Sequence, residues 1–402
     1  MGNIRYDQLP KGWEVKKLGD VCNFQNGFAF KSKTFKEEGL PIIRITNIKD
    51  ERLDLSKIVY INPKDYNKDL SKYEINNGDL LIAMSGATTG KIGIHQTNEK
   101  LLLNQRVGKF ELKSALNKLY LFNFLITKVE ESLAISAGAA QPNLSTEQIK
   151  AFKIPLPPLP EQKRIVSILD QAFAEIEKAK SNAQQNLKNA KELFESYLRD
   201  VLSHKKWEIK LLGDLCTKVE YGSSSKSASE GDIPVLRMGN IQNGRFNWDN
   251  LKYSVNEEEN VKYLLKYNDV LFNRTNSPEL VGKTAIYKGE RPAIFAGYLI
   301  RIHRKEDLLD AEFLNYYLNS QMAIDYGKTI VISSVNQANI NGTKLKGYPI
   351  PSPPLIEQKT IVKKLGALSA ETKKMETVYQ KKIADLEELK KSVLQKAFRV
   401  EL

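Results

Sequence analysis

Two short polar loops hold the residues best suited to recognising another molecule. MSGATTGK (Met84–Lys91) and NRTNSPELVGK (Asn273–Lys283) each follow a strand-like run and combine small hydroxyl and amide side chains with a basic one. Ser, Thr and Asn donate hydrogen bonds to phosphates and base edges, and an arginine such as Arg274 can take a guanine edge in bidentate fashion. The candidates are Ser85, Thr88, Thr89 and Lys91 in the first loop and Arg274, Asn276, Ser277 and Lys283 in the second. A solvated hairpin uses the same residue types. Other polar side chains stand close by in sequence terms. Arg44 with Asn47 and Arg237 with Asn240 end strand-like runs, and Gln141 with Asn143 and Gln337 with Asn339 precede proline-rich blocks. Amides suit adenine edges, and they suit capping and turn positions equally.

Catalytic chemistry is harder to find. SPELVGKT (Ser277–Thr284) nearly matches a phosphate loop, but Ser277 stands where the first glycine belongs, Pro278 stiffens the loop and no helix pattern follows. A nucleotide-binding enzyme built on Lys283 is the competing reading. His95, His204 and His303 are scattered without partners at ligand spacing, so no metal site is expected. Cys22 and Cys216 are the only cysteines, too few for a disulfide framework, and read as small core residues. Neither an adenine-methyltransferase N-P-P-aromatic motif nor an acidic nuclease cluster is present. No catalytic residue is assigned, and any reaction is expected to come from partners.

The elements that must position these loops come in duplicate. Trp13-Glu14-Val15-Lys16, Leu18-Gly19-Asp20 and Cys22 return as Trp207-Glu208-Ile209-Lys210, Leu212-Gly213-Asp214 and Cys216. IPLPPLPEQKRIV (Ile154–Val166) returns as IPSPPLIEQKTIV (Ile350–Val362). Such periodic self-similarity marks a repeated structural unit. In that register Gln105 and Arg106 face Gly297 and Tyr298, a variable point and a candidate specificity position.

After each proline block the chain is proline-free for some forty residues, which predicts a long helix of roughly 60 Å. Ile165, Leu169, Ala172, Ile176 and their successors follow coiled-coil spacing with one stutter, and Ile361, Leu365 and Leu368 begin a second seam interrupted at Thr372 and Lys382. The preceding regions alternate short apolar runs with Gly, Asn and Asp, then add one helical patch each (Leu119–Thr127, Glu312–Ser320). The expected class is α+β: two pseudo-symmetric, mostly-β recognition domains at 1–153 and 205–349. Proline blocks with long helices at 154–204 and 350–402 separate them.

The chain has 402 residues, too many for one ordinary core, and carries a net charge of +13. Glu161–Leu202 holds seven basic and seven acidic residues and Glu357–Leu402 eleven and seven, so about nine of the excess positive charges fall on the β-rich regions. A polyanion is the natural partner for such a surface. No apolar run reaches the length of a membrane span and no signal-type segment opens the sequence, so a cytoplasmic setting is expected.

Taken together, the paired proline blocks, the Trp-x-x-x-x-Leu-Gly-Asp openings and the two seam-bearing helices resemble the specificity subunit of Type I restriction-modification systems, over essentially the whole chain. The resemblance implies two target recognition domains reading the halves of a bipartite site in double-stranded DNA, held apart by antiparallel helices. It implies two methyltransferase subunits bringing S-adenosylmethionine and two restriction subunits bringing ATP and magnesium, with no cofactor bound by this chain. Glu161, Gln162, Ile165 and Leu169, and their counterparts Glu357, Gln358, Ile361 and Leu365, would serve docking or spacing. Half-sites about one turn of DNA apart, roughly 34 Å, fall within the span of such rods. A coiled-coil scaffold with basic ends and no sequence preference is the remaining alternative.

Overall fold

The computed structural model describes residues 9–49, 51–136, 143–203, 207–278, 280–334 and 337–401. The chain divides into two compact units, residues 1–182 with 382–402, and residues 183–381.

In the first unit all four residues of Leu80–Ala83 are buried, as an apolar run with no alternation requires. This strand lies inside a six-stranded sheet in the order Cys22–Asn26, Val107–Leu112, Leu80–Ala83, Ile92–Ile94, Arg52–Leu53, Ile48–Lys49. A four-stranded sheet (Val59–Ile61, Leu40–Ile43, Leu101–Leu103, Glu74–Ile75) has a parallel pair, Leu101–Leu103 on Leu40–Ile43, at its centre. Gly27 is needed where the chain leaves Cys22–Asn26, since a Cβ there would meet the Asn104 carbonyl oxygen at 2.2 Å.

The second unit repeats this plan. Cys216–Tyr221, Leu299–Arg304, Val270–Asn273 and Thr284–Ile286 form one sheet, and Ile294–Phe295 runs parallel to Ile233–Leu236 in another. Gly222 replaces Gly27, with the Phe295 carbonyl oxygen 2.2 Å from its would-be Cβ. A buried cation also recurs. Arg301 bonds Glu220 at 2.6 Å and Asp269 at 3.0 Å, and at the equivalent ladder position Lys109 donates to the Glu74 carbonyl at 3.0 Å and lies 3.6 Å from Asp79. Burial alone would raise the Glu220 carboxyl, but hydrogen bonds from Arg301 and His303 hold it down to about 2.

Each unit closes on itself at its proline block. Glu14–Lys17 pairs antiparallel with Lys153–Leu156, and Ile209–Leu211 with Pro349–Pro351. Two-stranded ribbons tolerate these prolines because one side of each strand needs no partner. Behind them start the helices Leu159–Ser203 and Leu355–Phe398, 45 and 44 residues long.

A glutamine locks each helix start to its unit. Gln162 accepts from the Asn117 amide at 2.7 Å and donates to the carbonyls of Ala115 (3.0 Å) and Pro157 (2.8 Å). Gln358 does the same with the Asp310 amide (2.8 Å) and the carbonyls of Leu308 (2.8 Å) and Pro353 (2.9 Å). Both side chains are fully buried. Ile165 and Leu169 belong to the first unit's core and Ile361 and Leu365 to the second's. The expectation of docking through these six residues is therefore revised, because they are consumed within the units and leave a partner nothing to touch. Glu161 is bonded to Arg164 by two contacts, at 2.7 and 2.8 Å, and Glu357 is half-buried.

The seams follow the expected spacing, with two local shifts. Near the end of the first helix the buried residues are Leu198 and Leu202, while Tyr197 and Val201, which continue the three-and-four spacing from Ile176, are half-buried one position before them. In the second, Thr372 is buried and bonds back to the Leu368 carbonyl at 3.0 Å, while Ile383 rather than Lys382 is half-buried. In the first unit Lys180 meets Glu387 at 2.8 Å and Glu177 meets Lys390 at 3.8 Å, so numbering rises on one helix as it falls on the other: the pair is antiparallel. In the second unit Leu198 and Leu202 share a core with Ile361 and Leu365.

Candidate nucleic-acid interface

Three loops and a strand end converge on one edge of each unit. In the first, the short 3-10 turn Ile45–Asn47 abuts the turn Gly86–Thr88, where Gly86 (φ +73°) would place a Cβ 3.5 Å from Ile45 Cδ1. The amide of Met84 donates to the Arg106 carbonyl at 2.9 Å, which ties in the 104–106 turn, and Ser85 bridges antiparallel to Asn143. Arg44, Ser85, Thr88, Gln105, Arg106 and Asn143 are thereby brought together. Phe30, Arg44, Thr46, Gln105 and Arg106 line a cleft of about 260 Å³ there.

The second unit builds the same edge from the same backbone bonds. Arg274 donates through its amide to the Tyr298 carbonyl at 3.0 Å, as Met84 does to Arg106, and Thr275 pairs with Asn339 as Ser85 does with Asn143. Gly297 donates to Ser223 as Gln105 does to Phe28. These backbone bonds follow the register inferred from the sequence, with Gln105 and Arg106 matched to Gly297 and Tyr298. Arg274 lies 4.8 Å over the Tyr221 ring, and Tyr298 is 51% exposed.

The candidate residues separate by what their side chains are already doing. Asn47 and Asn240 are corner posts. Each Oδ1 accepts from the arginine amide three residues back at 3.0 Å, and each Nδ2 donates to a carbonyl seven residues on at 3.0 Å. With both buried and their amides engaged, the expectation that they meet adenine edges is revised. Thr89 is also turned inward, donating to the Gly86 carbonyl at 2.7 Å. Asn276 accepts from the Ser277 amide at 2.9 Å, and the Ser277 carbonyl accepts from Leu280 and Val281. Asn339 donates to the Thr275 hydroxyl at 2.7 Å. Thr88 donates to the Ser85 carbonyl at 3.3 Å, while the Ser85 hydroxyl is buried without a partner.

Cationic groups remain at the edge. Arg44 and Arg237 each spend one Nη on a nearby carbonyl, Lys57 at 3.3 Å and Asn250 at 2.7 Å, and keep a buried Nε with no acceptor. Arg106, Lys91 and Lys283 are exposed, as is Gln105. Gln141 lies outside the described residues; Gln337 sits in the strand Gln337–Asn339. Such an arrangement offers guanidinium and ammonium donors to a polyanion, with hydroxyls and amides between them.

The chain matches the family described as "Type I restriction modification DNA specificity domain" twice, over residues 10–185 and 204–384. It belongs to that family. This specificity-family chain is 27% identical to the EcoKI specificity subunit of Escherichia coli K12, over 98% of its own length and 90% of the relative's. It is 29% identical to the putative MjaX specificity subunit of Methanocaldococcus jannaschii, over 90% and 88%. Its fold resembles a chain from a structural study of the assembly and conformational transition of the type I R-M system, at a TM-score of 0.76 with 20% identity and coverage of 98% and 100%. The HsdS subunit from Thermoanaerobacter tengcongensis follows at 0.58, 19% identity and 98% coverage of both chains.

The competing phosphate-loop reading fails within this family member. Gly282, at φ +90°, leads into the strand Thr284–Ile286 and not into a helix. The Thr284 hydroxyl is fully buried and donates to Asn315 at 3.0 Å, so it is closed to a metal-bound phosphate. Among the described residues no group of three or more His, Cys, Asp or Glu could hold a metal ion, and no helix is long and apolar enough to cross a membrane. Burial pushes the Cys22 thiol up to about 11, which suits a core residue and not a nucleophile. Sequence reasoning missed Tyr221 as a platform for Arg274. The sequence signal was an aromatic directly before Gly222, where the first copy has Asn26 before Gly27.

Proposed function

We propose that this chain reads DNA for a Type I restriction-modification complex, each unit recognising one half of a bipartite double-stranded target. The observation that carries this reading is the duplicated edge: one backbone frame, repeated hydrogen bond for hydrogen bond, bearing different side chains at equivalent points. A shared frame with unlike loops is what two readers of different half-sites require. The excess positive charge on the β-rich regions supplies the phosphate-binding term. The long helices would set the gap between half-sites and offer their solvent faces to two methyltransferase subunits. Methylation of adenine, with S-adenosylmethionine, and cleavage, with ATP and magnesium on two restriction subunits, would then be the partners' work in the cytoplasm. This chain would bind no cofactor and catalyse nothing alone.

Methylation mapping in cells carrying the chain with its methyltransferase partner tests the proposal. One bipartite adenine motif is expected. Marks without a common motif would replace this reading by that of a non-specific coiled-coil scaffold.

A further inference from the structure

Three equivalent positions on the edge change together between the units, and the change moves an arginine. In the first unit they are Asn26, Met84 and Arg106; in the second, Tyr221, Arg274 and Tyr298. Met84 is buried and offers no donor, while Arg106 beside it is exposed and has no partner among the described residues. In the second unit the arginine stands on the other side of the same backbone bond. Arg274 replaces Met84, and an exposed tyrosine takes the place of Arg106.

Arg274 is also held. Its guanidinium lies on the Tyr221 ring at 4.8 Å, and the Tyr221 hydroxyl is pinned by the Gly342 amide at 2.8 Å. One Nη reaches the Gly297 carbonyl at 3.5 Å, a weak contact, and the Nε is buried with no acceptor. A stacked, oriented guanidinium with unspent donors fits a planar pair of acceptors, and guanine N7 and O6 provide that pair in the major groove. The arginines at the corner, Arg44 and Arg237, differ in kind. They occupy the same frame position in both units with the same carbonyl contact, which suits a phosphate that every target has.

We infer that each unit reads a guanine with a single arginine delivered to the same place from alternate sides of one backbone bond: Arg274, carried on Tyr221, in the second unit and Arg106 in the first. The inference rests on the DNA-reading function proposed above. Lysine keeps the charge at either position and loses the bidentate fork. In the full chain assembled with its methyltransferase partner, Arg274→Lys therefore relaxes one G·C position of one half-site by about 10- to 100-fold in competition binding. Arg106→Lys, at an exposed side chain with no contact partner among the described residues, does the same in the other half-site only. Both should leave the salt dependence of binding nearly unchanged. If the wild-type complex marks no bipartite motif, the proposed function and this inference fall together. If the motif is clear yet contains no G·C pair in one half-site, or if either lysine variant keeps full discrimination or weakens all sequences equally, the inference alone is overturned.

Discussion

Replacing Gln162 by methionine isolates the bond set that fastens the first long helix to its unit. The side-chain volume is nearly kept, so packing is little disturbed. Three hydrogen bonds disappear, at 2.7, 3.0 and 2.8 Å, and the Asn117 amide and the carbonyls of Ala115 and Pro157 lose their side-chain partner. Gln162 is fully buried, so water cannot replace them without opening the joint. At about 1 kcal/mol for each net hydrogen bond, the substitution costs about 3 kcal/mol, with a range of about 2–5 as desolvated partners vary. For a unit of this size that lowers the unfolding midpoint by about 6–12 °C. Calorimetry or urea denatured fluorescence measures the loss, with Lys163→Met as the exposed neighbour control. Hydrogen exchange at the Asn117 amide gives a local reading that should rise on the same variant. Gln358→Met has the same bond set and no shared partner, so its cost should match and the two should add. A change under about 0.5 kcal/mol in either variant would refute the reasoning.

Gly27→Ala and Gly222→Ala should each destabilise the chain by more than about 3 kcal/mol, because the added Cβ meets backbone oxygen at 2.2 Å and not a side chain that can swing away; thermal melting checks both. The Glu220 carboxyl titrates near its ordinary value when unfolded and near 2 when folded, so its contribution is complete above about pH 5 and is lost as pH falls toward 2. Melting from pH 7 to 2.5 should therefore show a loss of about 1–3 kcal/mol that Glu220→Gln, destabilised throughout, lacks. The Cys22 thiol, raised to about 11 by burial, should resist iodoacetamide at pH 8 until the chain is unfolded, as read by mass spectrometry.

Much of the frame was legible because it obeys periodicities. The apolar run Leu80–Ala83, the seam through Ile165, Leu169 and Ile176, and the proline blocks each encode their environment locally. The buried polar residues were not legible. Gln162 stands out in the repeated block as a docking or spacing residue, but its anchoring role is hidden because two of its three partners lie 45 and 47 residues back. For Asn47 and Asn240 base edges and turn positions fit the sequence equally, and the choice rests on their amides closing a corner onto carbonyls seven residues away. Strands of two residues, such as Ile48–Lys49 and Arg52–Leu53, exist through their neighbours and carry no pattern of their own. At the edge, sequence identified the loops but not which side chains were already spent, because that depends on contacts such as Asn339 with Thr275 across 64 residues.

The division into units has a consequence for synthesis. The second unit is one continuous stretch, 183–381, inserted into a first unit whose two pieces bracket it. Phe398, almost fully buried, packs on Tyr120 and Phe124 with ring centroids 5.1 and 5.5 Å away. When the ribosome has finished residue 182, the first unit still lacks this closing piece. At about 5–20 residues per second, the wait across the insert is about 10–40 seconds. Through that interval the second unit can fold from contiguous chain while Tyr120 and Phe124 stay uncovered, so the part translated first is completed last.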